Sequence, residues 1–307
     1  MSHKIVVVGS LNMDLVAYTA RLPEMGETIL GQDFQTFPGG KGANQAVAAA
    51  RLGAGVSMIG KVGQDSFGEI LIDNLRNNRV NTDHIFKDPQ NPTGTAVITV
   101  DAEGRNTIVV ISGSNYQLSP QDVERCQQVI AGADVLLLQL ETPIETALRA
   151  AQLARESGVK VLLNPAPAQE LPDALYALVD VLIPNETEAA LLTGLPVANP
   201  QQAVSAAETL LQKGVKNVLV TLGKQGSTWV NPSGSRFTPS FEVSAVDSTA
   251  AGDAFIGGLG SALALEMSIE DALRWGSAAG ALAVTRKGAQ SSLPSETELK
   301  AFLAEHP

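Results

Sequence analysis

The sequence predicts an α/β fold with a mostly parallel central sheet and helices on both faces. Three observations lead there. Apolar runs without polar alternation recur along the chain: Ile5-Val-Val-Val, Val56-Ser-Met-Ile, and the segments 135–140, 159–163, 181–184 and 218–221. Strands buried on both faces read this way. Ala- and Leu-rich helical stretches separate these runs, the alternation of a parallel sheet covered by helices. Two further stretches, 14–37 and 95–112, break the rhythm and read as paired strands outside that sheet.

In chain order, Ile5-Val-Val-Val forms the first buried strand. Segment 14–37 holds two strand-like pieces around Pro23-Glu-Met-Gly26. Phe37-Pro-Gly-Gly-Lys-Gly-Ala-Asn-Gln is a glycine-rich turn opening a helix that ends at Gly53, its start carrying Asn44 and Gln45. Segment 95–112 is a hairpin turning at Ala102-Glu-Gly-Arg. Polar residues then follow strand ends: Asn12 after the first strand, Glu141 after 135–140, Asn185 after 181–183 and Gly223 after 218–221. Ligands of open α/β sheets gather at the carboxyl ends of strands, so these residues are expected in one cleft. At 307 residues the chain suits one large core with an appended element, a single domain over 1–307.

Composition excludes several classes. A formal net charge of −11 argues against nonspecific binding to nucleic acid or an anionic membrane surface. The single cysteine, Cys126, forms neither an intramolecular disulfide nor a cysteine metal cluster, and reads as a partly buried helix residue. His3, His84 and His306 lie outside every motif, which disfavours a Ser-His-Asp hydrolase and a histidine-ligated metal centre. No basic leader precedes the first strand and no apolar run is long enough to cross a bilayer, so a cytoplasmic enzyme is expected.

The most informative segment is Asp247-Ser-Thr-Ala-Ala-Gly-Asp253, running into a small-residue helix. Unpaired N–H groups of a first helical turn attract phosphate oxygens, and Ala250, Ala251 and Gly252 have no bulk to block the approach. Asp253 would repel such an anion, so its place makes sense as a base taking a proton from a hydroxyl while the N–H groups hold the phosphoryl group. Asp253 as a plain helix cap is the alternative. Elsewhere, Lys41 is followed by Gly42 rather than Ser or Thr, so this is no Walker loop, and the first strand lacks the Gly-x-Gly-x-x-Gly spacing of a dinucleotide fold. Asn12, Asp14, Lys41 and Asn44 instead offer the mixed donors and acceptors that a polyhydroxylated ligand needs.

Gly39-Gly-Lys-Gly-Ala-Asn-Gln-Ala46 and Asp247-Ser-Thr-Ala-Ala-Gly-Asp253 resemble the N- and C-terminal signatures of the ribokinase family of carbohydrate and nucleoside kinases. Leu138-Gln-Leu-Glu141, Asn164-Pro-Ala-Pro-Ala, Pro184-Asn-Glu-Thr-Glu188 and Thr221-Leu-Gly-Lys-Gln-Gly226 fall between them in the family's order. The resemblance implies ATP-dependent phosphorylation of D-ribose at its primary 5-hydroxyl, giving D-ribose 5-phosphate. It implies Asp253 as base and Ala250, Ala251 and Gly252 as anion hole, with Asn12, Asp14, Gly40, Lys41, Gly42, Ala43, Asn44 and Glu141 around the sugar. It further implies Asn185, Thr221, Leu222, Gly223, Lys224, Gln225, Gly226 and Ser277 around ATP, with Gly252. Glu188 would help hold Mg²⁺, and Asp247, Thr249, Ala283, Arg286, Gly288 and Ser292 would line a K⁺ site, several through backbone carbonyls. Segments of about 14–38 and 94–112 would form a small β-sheet lid that also pairs two subunits into a homodimer; a monomer whose lid covers its own cleft is the alternative. The substrate alternatives are 2-deoxyribose, another sugar or a nucleoside. A noncatalytic sugar or nucleotide sensor on the same fold is the alternative of a different class.

Overall fold

The computed structural model describes residues 3–306; residues 1, 2 and 307, the ends of the expected 1–307 domain, lie outside the described residues. The strands are β1 Lys4–Val8, β2 Asn12–Tyr18, β3 Asp33–Gly39, β4 Gly55–Gly63, β5 Asn81–Asp88, β6 Gly94–Val100, β7 Asn106–Ile111, β8 Val135–Leu138, β9 Lys160–Leu163, β10 Val181–Leu182, β11 Asn217–Thr221, β12 Ser227–Asn231 and β13 Gly234–Thr238. Nine of them form one sheet in the order β13-β12-β11-β10-β9-β8-β1-β4-β5. All its pairings are parallel except two, β12 with β13 within their hairpin and β12 with β11, which attaches it.

Side-chain period two divides β1 between the two faces. Ile5 and Val7 enter one core with the helices Lys41–Arg51, Ala251–Ala264 and Ile269–Ala283, while Val6 and Val8 enter the other beside Ile144–Glu156 and Pro200–Gln212. The expected doubly covered parallel sheet is therefore what forms. Next to β1 the strand order reverses, with β4 on one side and β8 on the other. Chains leaving neighbouring strands in opposite directions open a crevice at their carboxyl ends. Ser10–Asp14 leaves β1 there, and Glu141 follows β8.

Four strands form a second sheet in the order β3-β2-β6-β7, with β2 and β6 parallel and both outer pairs antiparallel. Its β6–β7 turn closes where the Gly104 N–H donates to the Asp101 carbonyl at 3.0 Å and Gly104 takes a φ of 80°. β3 runs through Gly40 into the helix Lys41–Arg51. Gly40 has a φ of 91°, and a Cβ there would lie 2.7 Å from the Asn12 nitrogen, so only glycine makes this connection. Phe34, Val97, Ile108, Val109 and Val110 leave apolar surface of this sheet exposed.

Several elements differ from the sequence expectation. β4 extends well beyond Val56-Ser-Met-Ile, to Gly63, because Gly60 and Gly63 continue a ladder with β5. β5 and the β12–β13 hairpin carry too much polar sequence to announce themselves as buried strands. Cys126 is fully buried, at the junction of the short helices Pro120–Arg125 and Gln127–Ala131, and burial pushes its thiol up to about 11. Among the described residues no helix is long and apolar enough to cross a membrane.

Candidate active site

Close packing of two helices assembles the centre of the site. A Cβ on Gly257, one turn past Asp253, would lie 2.8 Å from the Gln45 carbonyl, so the helix Ala251–Ala264 approaches Lys41–Arg51 at a distance only glycine permits. Asp253 is the third residue of its helix and buried. Its Oδ2 accepts from Asn44 Nδ2 at 2.9 Å and its Oδ1 from Gln45 Nε2 at 3.0 Å. The helix has no side-chain cap, so the capping alternative for Asp253 fails. Desolvation raises the Asp253 pKa, while the Lys41 charge and the two amide donors pull it back. A buried carboxylate with a raised pKa is a stronger base than an ordinary one.

Among the described residues the N–H groups of Ala250 and Gly252 have no acceptor, and a Cβ on Gly252 would meet nothing within 4 Å. The turn is thus open on one side with free donors. Ala251 corrects the expectation: its N–H donates to the Ser248 carbonyl at 3.2 Å and closes the turn instead.

The expected sugar residues cluster around Glu141. Its Oε2 accepts from the Lys41 N–H at 3.1 Å, from Asn12 Nδ2 at 3.5 Å, and from the Ser10 hydroxyl. Asn12 is itself held, its Oδ1 accepting from Asn115 Nδ2 at 2.7 Å. Asp14 lies over Gly39, where a Cβ would come within 2.7 Å of its carboxyl carbon. Burial first, then the charges of Glu141 and Asp253, raise its pKa from 3.8 to about 7. Burial alone would lower the Lys41 pKa, but Asp253, Glu141 and Glu188 together outweigh it and the pKa rises. Lys41 is therefore the charge that keeps the carboxylates tolerable at close quarters. Gly42 and Ala43 do something other than expected: their N–H groups donate to Ser10 Oγ at 3.3 Å and to the Ser10 carbonyl at 2.9 Å, docking the helix onto the end of β1.

A second group lies beyond β10 and β11. Asn185 and Glu188 form a reciprocal capping box on the helix Glu186–Thr193, with Asn185 N–H to Glu188 Oε2 at 2.9 Å and Glu188 N–H to Asn185 Oδ1 at 2.8 Å. Glu188 is nonetheless buried, and burial raises its pKa against the Asn185 N–H and Lys41. The Thr221 N–H donates to the Pro184 carbonyl at 2.9 Å, which places Asn185 beside the loop after β11. In that loop Gly223 and Gly226 take φ of 51° and 119°, Lys224 and Gln225 are exposed, and the Leu222 side chain is in the core. Leu222 thus presents only backbone. Ser277 is buried in Ile269–Ala283, the helix packed on Ala251–Ala264.

Of the residues expected around a monovalent cation, Asp247, Thr249 and Gly288 meet directly. Asp247 Oδ1 accepts from the Thr249 N–H at 3.0 Å and Oδ2 from the Gly288 N–H at 2.8 Å. The Ala283 carbonyl accepts from the Arg286 N–H at 3.2 Å, the Arg286 guanidinium turns to Glu298 at 2.7 Å, and Ser292 Oγ donates to the Ala289 carbonyl at 2.8 Å. Among the described residues no three or more His, Cys, Asp or Glu side chains are grouped to hold a metal.

Sequence reasoning left out Ser10, Gln45, Asn115, Gln139 and Asn164. Gln45, Gln139 and Asn164 form a buried amide chain behind Asp253, with Gln139 Nε2 to Gln45 Oε1 at 2.6 Å and Gln45 Nε2 to Asn164 Oδ1 at 3.4 Å. All three sit inside or beside the motifs, but only the folded chain shows what they face.

A buried carboxylate, a turn with free N–H groups and a cluster of polar side chains at a topological switch point are the parts that a phosphotransferase acting on an alcohol needs. The chain belongs to the pfkB family of carbohydrate kinases, whose model matches residues 2–296. It is a sugar kinase. It is 47% identical over 303 residues to a ribokinase of Haemophilus influenzae, covering 99% of both chains. It is 40% identical over 301 residues to a deoxyribokinase of Salmonella typhi, covering 98% of both. The structure of Arabidopsis thaliana ribokinase complexed with ribose and ATP superposes with a TM-score of 0.92 at 33% identity, covering 99% of each chain.

Proposed function

We propose that this chain phosphorylates D-ribose at its primary 5-hydroxyl with ATP, giving D-ribose 5-phosphate and ADP. The observation that carries this is the buried Asp253 carboxylate beside the unpartnered N–H groups of Ala250 and Gly252. The 5-hydroxyl gives its proton to Asp253 as its oxygen attacks the γ-phosphorus. The bond to the β-phosphate oxygen breaks, and the free N–H groups meet the charge on the phosphoryl group in transit. Asn12, Asp14, Lys41, Asn44 and Glu141, with Gly40 shaping the turn, hold the other hydroxyls of ribose, the sugar present with ATP in the Arabidopsis complex. The loop 221–226 takes the ATP phosphates and ribose, with Asn185 alongside and Ser277 near the adenine.

Glu188 fits Mg²⁺ held through water, since its oxygens are fixed by Asn185 yet keep lone pairs to spare; the ion would neutralise ATP phosphate charge. Asp247, Thr249, Ser292 and the carbonyls of Ala283, Arg286 and Gly288 offer the hard oxygen donors suited to K⁺, which would stiffen the turn before Asp253. The exposed apolar surface of the four-stranded sheet suits a lid that pairs with that of a second copy. Reliance on ATP agrees with a cytoplasmic location.

The test is a phosphorylation assay with Mg²⁺-ATP against pentoses, 2-deoxyribose, hexoses and nucleosides. Ribose should show the highest kcat/KM. Preference for 2-deoxyribose, the substrate class named by the Salmonella relative, would overturn the substrate and leave the reaction class standing.

A further inference from the structure

Behind Asp253 lies a chain of side-chain amides whose polarity is fixed at both ends. At one end the Asp253 carboxylate, when ionised, is an acceptor only, so Gln45 must turn its Nε2 toward it, at 3.0 Å. At the other end Asn164 Nδ2 donates to the Ile183 carbonyl at 3.0 Å and to Glu188 Oε2 at 3.5 Å, both acceptors, so its Oδ1 must face Gln45, at 3.4 Å. Both hydrogens of the Gln45 amide are thereby assigned, and its Oε1 must accept. It does so from Gln139 Nε2 at 2.6 Å. Gln45 and Gln139 are wholly buried, and neither belongs to the cluster expected around the sugar.

We propose that Gln45 is a positioning residue for the base, and that Gln139 acts through it by locking the Gln45 amide in the orientation that donates to Asp253. This rests on the reading of Asp253 as base. A flipped Gln45 amide would set its carbonyl oxygen against the carboxylate and against the Asn164 oxygen and would lose the Gln139 donor as well, so the Gln139 contact adds to the preference for one of two isosteric arrangements. Donation from Gln45 also favours the ionised, proton-accepting form of Asp253. Asn44 supplies the other donor but faces the sugar side; Gln45 does not, so its removal separates base positioning from sugar binding.

The test uses the full chain carrying Gln45→Met, Gln139→Met, the double substitution, and the isosteric Gln139→Glu. Gln45→Met should lower kcat about ten- to a hundredfold, within the span of general-base effects, with ribose KM nearly unchanged. The acid limb of its pH–rate profile should move to higher pH. Gln139→Met should move both in the same direction by less, and the double variant should be no worse than Gln45→Met. Gln139→Glu, whose carboxylate accepts from Gln45 Nε2 and turns the amide away from Asp253, should exceed Gln139→Met. A Gln45→Met enzyme with wild-type kcat and pH profile, or additive losses in the double variant, overturns the proposal. An Asp253→Asn control that retains turnover would instead overturn the underlying assignment of the base, so the two failures are distinguishable. Should Gln45→Met fail to fold, as judged by circular dichroism, the Gln139 pair still decides: equal, wild-type pH profiles for both refute it.

Discussion

Asn44 donates its amide to the Asp253 carboxylate at 2.9 Å and leaves its own Oδ1 buried with no partner. An unsatisfied buried carbonyl oxygen costs about 1–3 kcal/mol, so a ligand hydroxyl that donates to it recovers that energy. Asn44→Ala should raise ribose KM roughly tenfold to a hundredfold, the same energy expressed as affinity, and lower kcat as well through the lost donor. Steady-state kinetics with unchanged ribose KM would refute a role in sugar binding.

Asp253→Asn should cut turnover by about two to four orders of magnitude while the chain still folds. The variant removes a proton acceptor and also an ionisable group whose desolvation raises its pKa. Its melting temperature should therefore equal or exceed that of the wild type near neutral pH. Near-wild-type turnover in a preparation verified by mass spectrometry rules out this base.

Asp14 gives the pH dependence a sign. Its folded-state pKa is about 7 against 3.8 unfolded, so its contribution to stability is complete below 3.8 and is lost as pH rises toward 7. Asp14→Asn is neutral throughout and escapes that loss. The melting temperature of the variant minus that of the wild type should grow as pH rises from about 4 to about 7 and then level off. A difference that stays flat across this range contradicts the assignment.

Glu188 is both cap and proposed ion partner, and two substitutions separate the roles. Glu188→Ala removes a capping box worth about 1 kcal/mol and should lower the melting temperature by about 2 °C. Glu188→Gln keeps an acceptor for the Asn185 N–H and should melt near the wild type, yet require more Mg²⁺ for half-maximal turnover. Identical Mg²⁺ titrations for wild type and Glu188→Gln leave only the cap.

Turnover should be higher in K⁺ than in Na⁺ buffer at equal ionic strength, and Asp247→Ala should abolish the difference. Asp247 ties Thr249 to Gly288 through its two oxygens, so its loss also loosens the loop without an ion. The decisive reading is the K⁺-to-Na⁺ ratio rather than the absolute rate. A ratio of one in the wild type refutes the monovalent site.

The parts legible in sequence were those with local signatures. Asp253, Lys41 and Asn44 stand in glycine-rich turns opening helices, and the apolar runs of β1, β8, β9 and β11 need no context to read as buried strands. Less legible were residues whose meaning lies in distant pairing. Gln45 and Gln139 are 94 positions apart and Gln45 and Asp253 are 208 apart, so no spacing rule connects them. Ala251 shows the converse limit, since a small residue at a helix start looks like an open donor until the Ser248 carbonyl is seen beside it. β10 was legible only as part of a longer apolar run; with two residues, its place in the sheet is set by the ladders on either side.

The register of the four-stranded sheet has a mechanical consequence. Asn12 and Gly39 are partners at the end of the β2–β3 ladder nearest β1, while Tyr18 and Asp33 close the far end. Asn12 and the residues proposed to face the sugar thus sit at the fulcrum and the loops holding Met25 and Gly104 at the tips. A small rotation about the fulcrum sweeps the tips through a wide arc and scarcely shifts Asn12. Spin-label mobility measured at the tips will therefore overstate the freedom of the groups around Asn12, and a label near Gly39 is the one that reports it.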